Sequence, residues 1–300
     1  MKVLIPGGTG FLGAALTKSL LADGHQVWVL TRDPRQVRVS AGTQVAAWDG
    51  RTAAGWGELV NQMDAVVNLA GRSLSTWPWT QANKQSFWDS RVDAGRAVAE
   101  AVSQADRRPK VLIQASGIGH YGLSGSPADE STPPADDFAA RLTVAWEDAT
   151  RSIEELGVRR VIIRTAVVLG KEGGMLGLMA LPVRLFTGGP IGGGGQAVSW
   201  IHLADEVGAV RFLLENESAR GPFNLVAPEA STNADFYRAL AKALHRPYWL
   251  PTPAFPLRLA LGEMSTLLLD GRIAQPKRLT DLGYRFQFPA LGAALADLLR

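Results

Sequence analysis

The chain opens on an apolar run, Val3-Leu4-Ile5, and then places glycines at 7, 10 and 13 ahead of the helical pattern Ala14, Ala15, Leu16, Ser19, Leu20, Leu21. A short apolar run bounded by a turn signal predicts a buried strand, and apolar positions three and four apart predict a helix. Gly24 ends that helix and Gln26–Leu30 predicts a second strand, which completes a βαβ unit. The alternation continues along the chain. Strands are predicted at Gln44–Trp48, Ala65–Leu69, Val111–Ala115, Arg160–Ile163 and Pro222–Val226, and helices at Asn83–Ser103, Phe138–Leu156, Asn233–Leu244 and Ala290–Leu299. In the first of these helices Phe87, Val92, Ala97, Val98, Ala101 and Val102 are the inward positions, and Asn233 is the expected cap of the third. From about Met175 the pattern loosens into the glycine-rich stretch 188–195, a mobile loop by composition. Strands alternating with helices argue for a parallel sheet covered on both faces.

The glycine spacing solves a specific problem, bringing backbone against a pyrophosphate. Gly7 suits the tight turn, Gly10 lets the main chain approach the phosphates, and Gly13 lets the helix pack on the strand. Amides at the helix N-terminus then face the anion. An ordinary βα turn is the alternative, but the flanking strand and helix favour a dinucleotide site made of Gly7, Thr9, Gly10, Phe11, Leu12 and Gly13. The fold class expected is α/β, a Rossmann-type doubly wound parallel sheet with a small C-terminal α/β lobe. Residues 1–220 would form the nucleotide domain, with lobe segments from about 171, and residues 221–300 the lobe. At the end of the second strand, Thr31 and Arg32 stand where NAD-preferring folds carry an acidic residue for the ribose hydroxyls. An arginine there forks onto a 2′-phosphate, and Arg35 and Arg38 add positive charge, so the cofactor expected is NADP, with NAD less favoured and kept open by Asp33.

Composition narrows the partners. The net charge of +3 is too small to argue for nucleic acid or a membrane surface, and zero cysteines exclude a disulfide framework and thiolate zinc sites. The N-terminus has no signal-peptide pattern, which fits a cytoplasmic enzyme acting on a small molecule.

Asn68-Leu69-Ala70-Gly71, closing the fourth strand, resembles the turn that runs along the cofactor in short-chain dehydrogenases/reductases. With Gly7-Gly8-Thr9-Gly10-Phe11-Leu12-Gly13 it is similar to the extended branch of nucleotide-sugar epimerases and dehydratases. Gly188-Gly189-Pro190-Ile191-Gly192, Trp200-Ile201-His202, Gly262-Glu263 and Gln275-Pro276-Lys277-Arg278-Leu279 narrow the resemblance to the atypical sugar-nucleotide-epimerase-like group, which has its own short C-terminal domain. The resemblance implies cofactor contacts at Leu69, Ala70, Gly71 and Val168, and at Arg91, where extended members usually carry asparagine. It also implies the pair Tyr-x-x-x-Lys, and this chain has none. Its tyrosines at 121, 237, 248 and 284 are followed four places on by Gly125, Ala241, Thr252 and Phe288, and Ala139 and Thr143 occupy the expected positions.

Ser116, ending the fifth strand, matches the family's substrate-orienting serine. His120 and Tyr121 follow with proton-transfer capacity, His120 as an acid/base replacement and Tyr121 as a donor from a pocket wall. Ordinary roles compete with each assignment: a strand-end hydrogen bond for Ser116, a solvated loop for His120, packing for Tyr121, a helix surface for Arg91. Around the pocket, Trp77, Trp79, Trp200 and His202 are candidate walls, and Arg272 or Arg278 a candidate grip on a substrate diphosphate; His202 in a core and Lys277-Arg278 on a solvated face are the plainer readings. The function expected is an NADP(H)-dependent epimerase or oxidoreductase-like activity, with a catalytically silent NADP(H) sensor or accessory protein as the alternative. Helices 83–103 and 138–156 correspond to those that build dimers in this superfamily, which leaves a monomer or homodimer open.

Overall fold

In the computed structural model, which describes residues 1–300, the chain begins β1 (Lys2–Pro6), α1 (Phe11–Ala22), β2 (Gln26–Thr31), β3 (Gln44–Ala47) and β4 (Ala65–Asn68). There follow α2 (Gln81–Gln104), β5 (Val111–Gly117), α3 (Phe138–Asp148), β6 (Arg159–Thr165), β7 (Val167–Leu169) and α4 (Leu176–Arg184). The chain continues through β8 (Trp200–His202), α5 (Leu203–Glu215), β9 (Gly221–Leu225) and α6 (Asn233–Ala243). It ends with α7 (Ala254–Leu261), α8 (Thr266–Leu269), α9 (Lys277–Asp281) and α10 (Leu291–Leu298). No helix is long and apolar enough to cross a membrane.

Seven strands pair in parallel in the order β3-β2-β1-β4-β5-β6-β9, and β7 and β8 form a separate parallel pair. Side-chain alternation distributes each strand over two cores. Val3, Ile5, Val27, Val29, Val67 and Ile113 face the layer that holds α1 and α5. Leu4, Trp28, Leu30, Val66 and Leu112 face the opposite layer, where α2 contributes Ala94, Ala97, Val98, Ala101 and Val102. Burial on both faces is why these strands are continuously apolar. The lobe has its own core, in which α4, α6 and α10 pack Leu176, Phe236, Tyr237, Leu240 and Leu295 around Trp200. The strand order reverses between β1 and β4, and a crevice opens there beyond the carboxyl ends of the strands.

Several boundaries differ from the sequence expectation. The helix expected over 138–156 stops at Asp148 and continues as a 3-10 turn, Arg151–Leu156. The Arg160 guanidinium donates to the Glu147 carbonyl at 2.8 Å, engaging the end of the helix from the neighbouring strand. Thr232, and not Asn233, caps α6 by accepting from the Asp235 amide at 3.2 Å, while Asn233 Oδ1 accepts from the Ile191 amide. The strand at 221–225 pairs with β6 in the main sheet, so the sheet extends past the expected boundary at 220. The pattern lost from Met175 onward contains α4, broken to the eye by Gly177 and Pro182, and α5, which starts directly at the end of β8. The far end of α5 is closed by Arg159, which donates to the carbonyls of Leu213, Leu214 and Ala219 at 2.7–3.0 Å.

Two buried features of this scaffold give measurable consequences. A Cβ on Gly13 would stand 2.3 Å from the Gly7 carbonyl oxygen, a backbone atom that cannot move aside. Gly13→Ala should therefore cost about 1–3 kcal/mol of stability by overpacking, measured by urea denaturation. Glu206 is buried on α5, accepts from Thr165 Oγ1 at 2.8 Å, and leaves Oε2 without a partner; burial pushes its pKa up to about 8. Between the ordinary value of 4.5 and about 8 the unfolded chain ionises while the folded one holds the proton, so this group lowers stability as pH rises through that window. Glu206→Gln should gain on the parent protein steadily from pH 5 to pH 8; parallel denaturation midpoints across that range would contradict it.

Candidate functional site

The turn between β1 and α1 lies in the crevice. Gly7 takes φ +80°, and a Cβ there would stand 2.7 Å from the backbone of Leu69. The two strand ends are joined by the Leu69 amide donating to the Pro6 carbonyl at 2.9 Å, and the Ala70 amide donates to Asn68 Oδ1 at 3.2 Å. Gly7, Leu69, Ala70 and Gly71 are thus brought together across the switch point. Gly10 differs from its neighbours: a Cβ there would meet only the Gly7 carbonyl oxygen, at 3.3 Å. Gly10 is also the N-cap of α1 and provides no side-chain cap, which leaves the first amides of the helix facing the crevice. The Phe11 ring packs into the hollow of Gly170, Gly173 and Gly174, next to the carbonyl of Val168. The glycines after β7 are therefore spacers for one aromatic ring.

Cations without acidic partners follow the end of β2, whose Leu30 pairs with Pro6, and stand beside Gly71. Arg32, Arg35 and Arg38 are exposed and none enters an ion pair, while the Asp33 carboxylate is occupied by the Arg35 amide at 3.1 Å. Arg91 is 7 % exposed and donates through Nη1 to the carbonyls of Arg72 (2.9 Å) and Phe87 (3.1 Å). It lies 4.8 Å over the Trp146 ring and beside Gly71. Burial lowers its pKa to about 10, so it is still charged at neutral pH, and it has no carboxylate partner. An open glycine flank, uncapped amides and unpaired guanidiniums together fit a phosphorylated dinucleotide.

At the carboxyl end of β5, Ser116 Oγ donates to Glu147 Oε1 at 2.7 Å. Arg164, from the paired strand β6, clamps the same carboxylate, with Nε to Oε1 at 2.8 Å and Nη2 to Oε2 at 2.9 Å. Burial opposes ionisation of Glu147, but the Arg164 hydrogen bonds and charge, helped by Ser116, hold its pKa below the usual carboxylate value. Arg164 Nη1 also donates to Tyr121 Oη at 3.0 Å, and Tyr121 donates onward to Asn224 Oδ1 at 2.7 Å. The Tyr121 hydroxyl, expected to serve a pocket, is instead occupied on both sides, and burial raises its pKa. His120 is buried with Nδ1 3.7 Å from Glu147 Oε1 and without a hydrogen bond; burial pulls its pKa down to about 4, so the ring is neutral at pH 7.

Glu147 and Arg164 were not among the residues expected from the sequence. A signal for Glu147 was present: Ala139, Thr143 and Glu147 recur every four residues and share one face of α3. Ala139 lies against Gly119 and Thr143 near Gly117, so the positions where Tyr and Lys are missing face the end of β5, and the acid stands one turn farther along. The signal for Arg164 was a charged residue ending a buried apolar strand, a place where arginine needs a partner.

The remaining candidates separate. An apolar cleft of about 200 Å³ lies between the loop after β5 and the lobe and includes Tyr121, Val167 and Arg272 in its lining. His202 is not part of it: its Nδ1 accepts from the Ala204 amide at 3.0 Å and its ring stacks on Phe288, which makes it the cap of α5. Trp200 is fully buried in the lobe core. Arg278 donates to the carbonyls of Arg220 and Pro222 near the amino end of β9, far from the role of a diphosphate grip. Trp77 is exposed, and Trp79 packs edge-on against Phe87 and Phe138. Removing the central acid tests the buried network: Glu147→Gln leaves the Arg164 charge uncompensated and should cost about 3–5 kcal/mol at pH 7, read by denaturant titration. Because the folded-state pKa of Glu147 is depressed, that difference should shrink as pH falls through the folded value.

Comparison with known proteins agrees with this architecture. Residues 3–226 match the NAD dependent epimerase/dehydratase family, and residues 252–298 match a domain of unknown function, DUF1731. The chain is 39% identical to the Epimerase family protein YfhF of Bacillus subtilis (strain 168), covering 100% of this chain and 98% of that one. It is 37% identical to the Epimerase family protein SDR39U1 of Homo sapiens, covering 100% of each. A crystal structure of the human protein (isoform 2) with NADPH superposes with a TM-score of 0.91 at 36% identity, covering 100% of this chain and 99% of that one. The seven-stranded parallel sheet, the glycine turn at the switch point and these matches together place the chain in the NAD-dependent epimerase/dehydratase family.

Proposed function

We propose that this protein binds NADP(H) and is an oxidoreductase or epimerase-like enzyme for a small molecule, working without the Tyr-x-x-x-Lys pair. The glycine turn Gly7–Gly13 and the uncapped start of α1 would receive the pyrophosphate, Arg32 the 2′-phosphate beside Thr31, and Arg91 a phosphate oxygen near Gly71. Leu69, Ala70 and Val168 would border the cofactor with backbone. The human relative's crystal structure with NADPH supports the choice of cofactor. When bound, a nicotinamide cofactor supplies hydride exchange with carbon.

The observation that carries the catalytic part is the short hydrogen bond from Ser116 to an ionised, clamped Glu147. With its proton directed at the carboxylate, the Ser116 oxygen presents lone pairs to a substrate hydroxyl. Ser116 would thereby orient a substrate hydroxyl, with Glu147 fixing the direction of the serine proton; an ionised, clamped carboxylate is a weak base, so its part is to position Ser116. Arg164 fixes the carboxylate, and His120 lies beside it as a neutral ring that burial makes a poor proton acceptor. Tyr121 acts as a positioning group through Arg164.

Calorimetric titration of NADPH, NADP⁺, NADH and NAD⁺ tests the cofactor half. Binding should depend on the 2′-phosphate, and Arg32→Glu should weaken NADPH by tenfold or more, on the order of 1–3 kcal/mol for a charge-assisted pair, while NADH changes little. Equal losses for both nucleotides would remove Arg32 from that role. For the catalytic half, Ser116→Ala should abolish turnover of an identified substrate with NADPH affinity retained. Tight NADPH binding with no turnover by the parent protein on any screened substrate would favour the silent sensor.

A further inference from the structure

The cleft between the loop after β5 and the lobe differs from a nucleotide-sugar site in size, charge and lining. Ile118 and Leu123, Val167 of β7, Met175 and Met179 at α4, and Ile273 after α8 form its walls. Its volume of about 200 Å³ lies below the roughly 300–1,000 Å³ of sites that enclose drug-sized ligands. Arg272 is the one cation in the lining, and its Nε and Nη1 already donate to the carbonyls of Ser126 (2.7 Å) and Tyr121 (2.8 Å). Asp270, an exposed acid, belongs to the same lining. A diphosphate entering here would lose its hydration, gain little from Arg272 and meet a like charge.

Two polar groups in the lining have unused hydrogen-bonding capacity. Tyr237 is 3 % exposed and its hydroxyl makes no hydrogen bond within the protein; burial alone pushes its pKa up to about 12, so it stays a donor. Asn233 is also 3 % exposed. The Ile191 amide occupies its Oδ1 at 2.8 Å, which leaves the Nδ2 donor without a protein partner. Both belong to the first turns of α6, four residues apart and therefore on one face.

We propose that this cleft takes a small apolar carbonyl compound (a ketone, aldehyde or ester) whose oxygen is held by Tyr237 and Asn233, and that it does not take a nucleotide sugar. It is proposed as a binding site, which stands on its lining, and Ser116 is not part of that lining. Arg272 keeps the cleft in shape by tying the loop after β5 to the lobe, a positioning role.

Ligand-observed NMR titrations with acetophenone, cyclohexanone and octanal, each with and without saturating NADPH, test the proposal, with UDP-glucose as the opposing probe. At least one carbonyl should bind saturably and UDP-glucose should not compete with it. Loss of one hydrogen bond in Tyr237→Phe should weaken that ligand about three- to tenfold while leaving the apolar wall intact. Met179→Trp fills the cleft and should abolish binding. Leu267→Asp, at a rim position already 41 % exposed, brings a charge to the mouth without a core defect and should weaken binding as well. No saturable binding by any of the three carbonyls, competition by UDP-glucose, or unchanged affinity in both Tyr237→Phe and Leu267→Asp would overturn the proposal. Carbonyl binding in a protein that fails to bind NADPH would support the site and remove only the cofactor reading.

Discussion

Arg164 donates to both carboxylate oxygens of Glu147 in a region where the two side chains are only 7% and 10% exposed. Burying one of these charges alone would be prohibitive, so each residue requires the other, and the pair requires its neighbours to satisfy the remaining donors and acceptors. Those neighbours are the site. Ser116 donates to the carboxylate from β5, Tyr121 accepts from the guanidinium, and Asn224 of β9 accepts from Tyr121. Asn224 in turn donates through Nδ2 to the Gln275 carbonyl at 2.9 Å, which extends the network into the C-terminal segment. One ion pair therefore connects α3, three strands of the sheet and the lobe, and the orientation of Ser116 depends on it.

The site also separates its charges. Around the glycine turn the chain places guanidiniums without acids, from exposed Arg32 to buried Arg91. At the end of β5 it places an acid that is already neutralised by Arg164. The cleft beyond carries little charge and mostly apolar walls. An anionic ligand is thus attracted to the turn and discouraged from the cleft, while a neutral molecule is accommodated in the cleft next to Tyr121 and Val167. Loss of the tyrosine and lysine on α3 fits this arrangement, because a lysine at Thr143 would bring an unpartnered cation toward the end of β5.

Most of the parallel sheet was legible in the sequence, since strands buried on both faces must be continuously apolar and the glycine spacing has few structural solutions. Lobe elements were less legible. α4 contains Gly177 and Pro182, and α5 follows β8 without a turn, so period and punctuation both failed there. Ser116 and His120 were identifiable from their place after a strand, and both approach Glu147 Oε1, at 2.7 and 3.7 Å. Their partner Glu147 was visible only as the third member of a four-residue stripe, and Arg164 as a charge at the end of an apolar run. For His202 and Arg278 the sequence left a pocket role and a plainer role open; contacts with Phe288, Ala204, Arg220 and Pro222 place both away from the cleft.

By itself the sequence determined the βαβ turn, the strand alternation and the absence of Tyr-x-x-x-Lys, because each of these depends on residues close together in the chain. Only the tertiary structure decided which acid reaches Ser116, which hydroxyls are already occupied and how wide the cleft is. Those outcomes join positions 31 to 103 residues apart, as in Ser116 with Glu147 and Tyr121 with Asn224. At such separations pairing is set by the packing of elements in space, which no local pattern encodes.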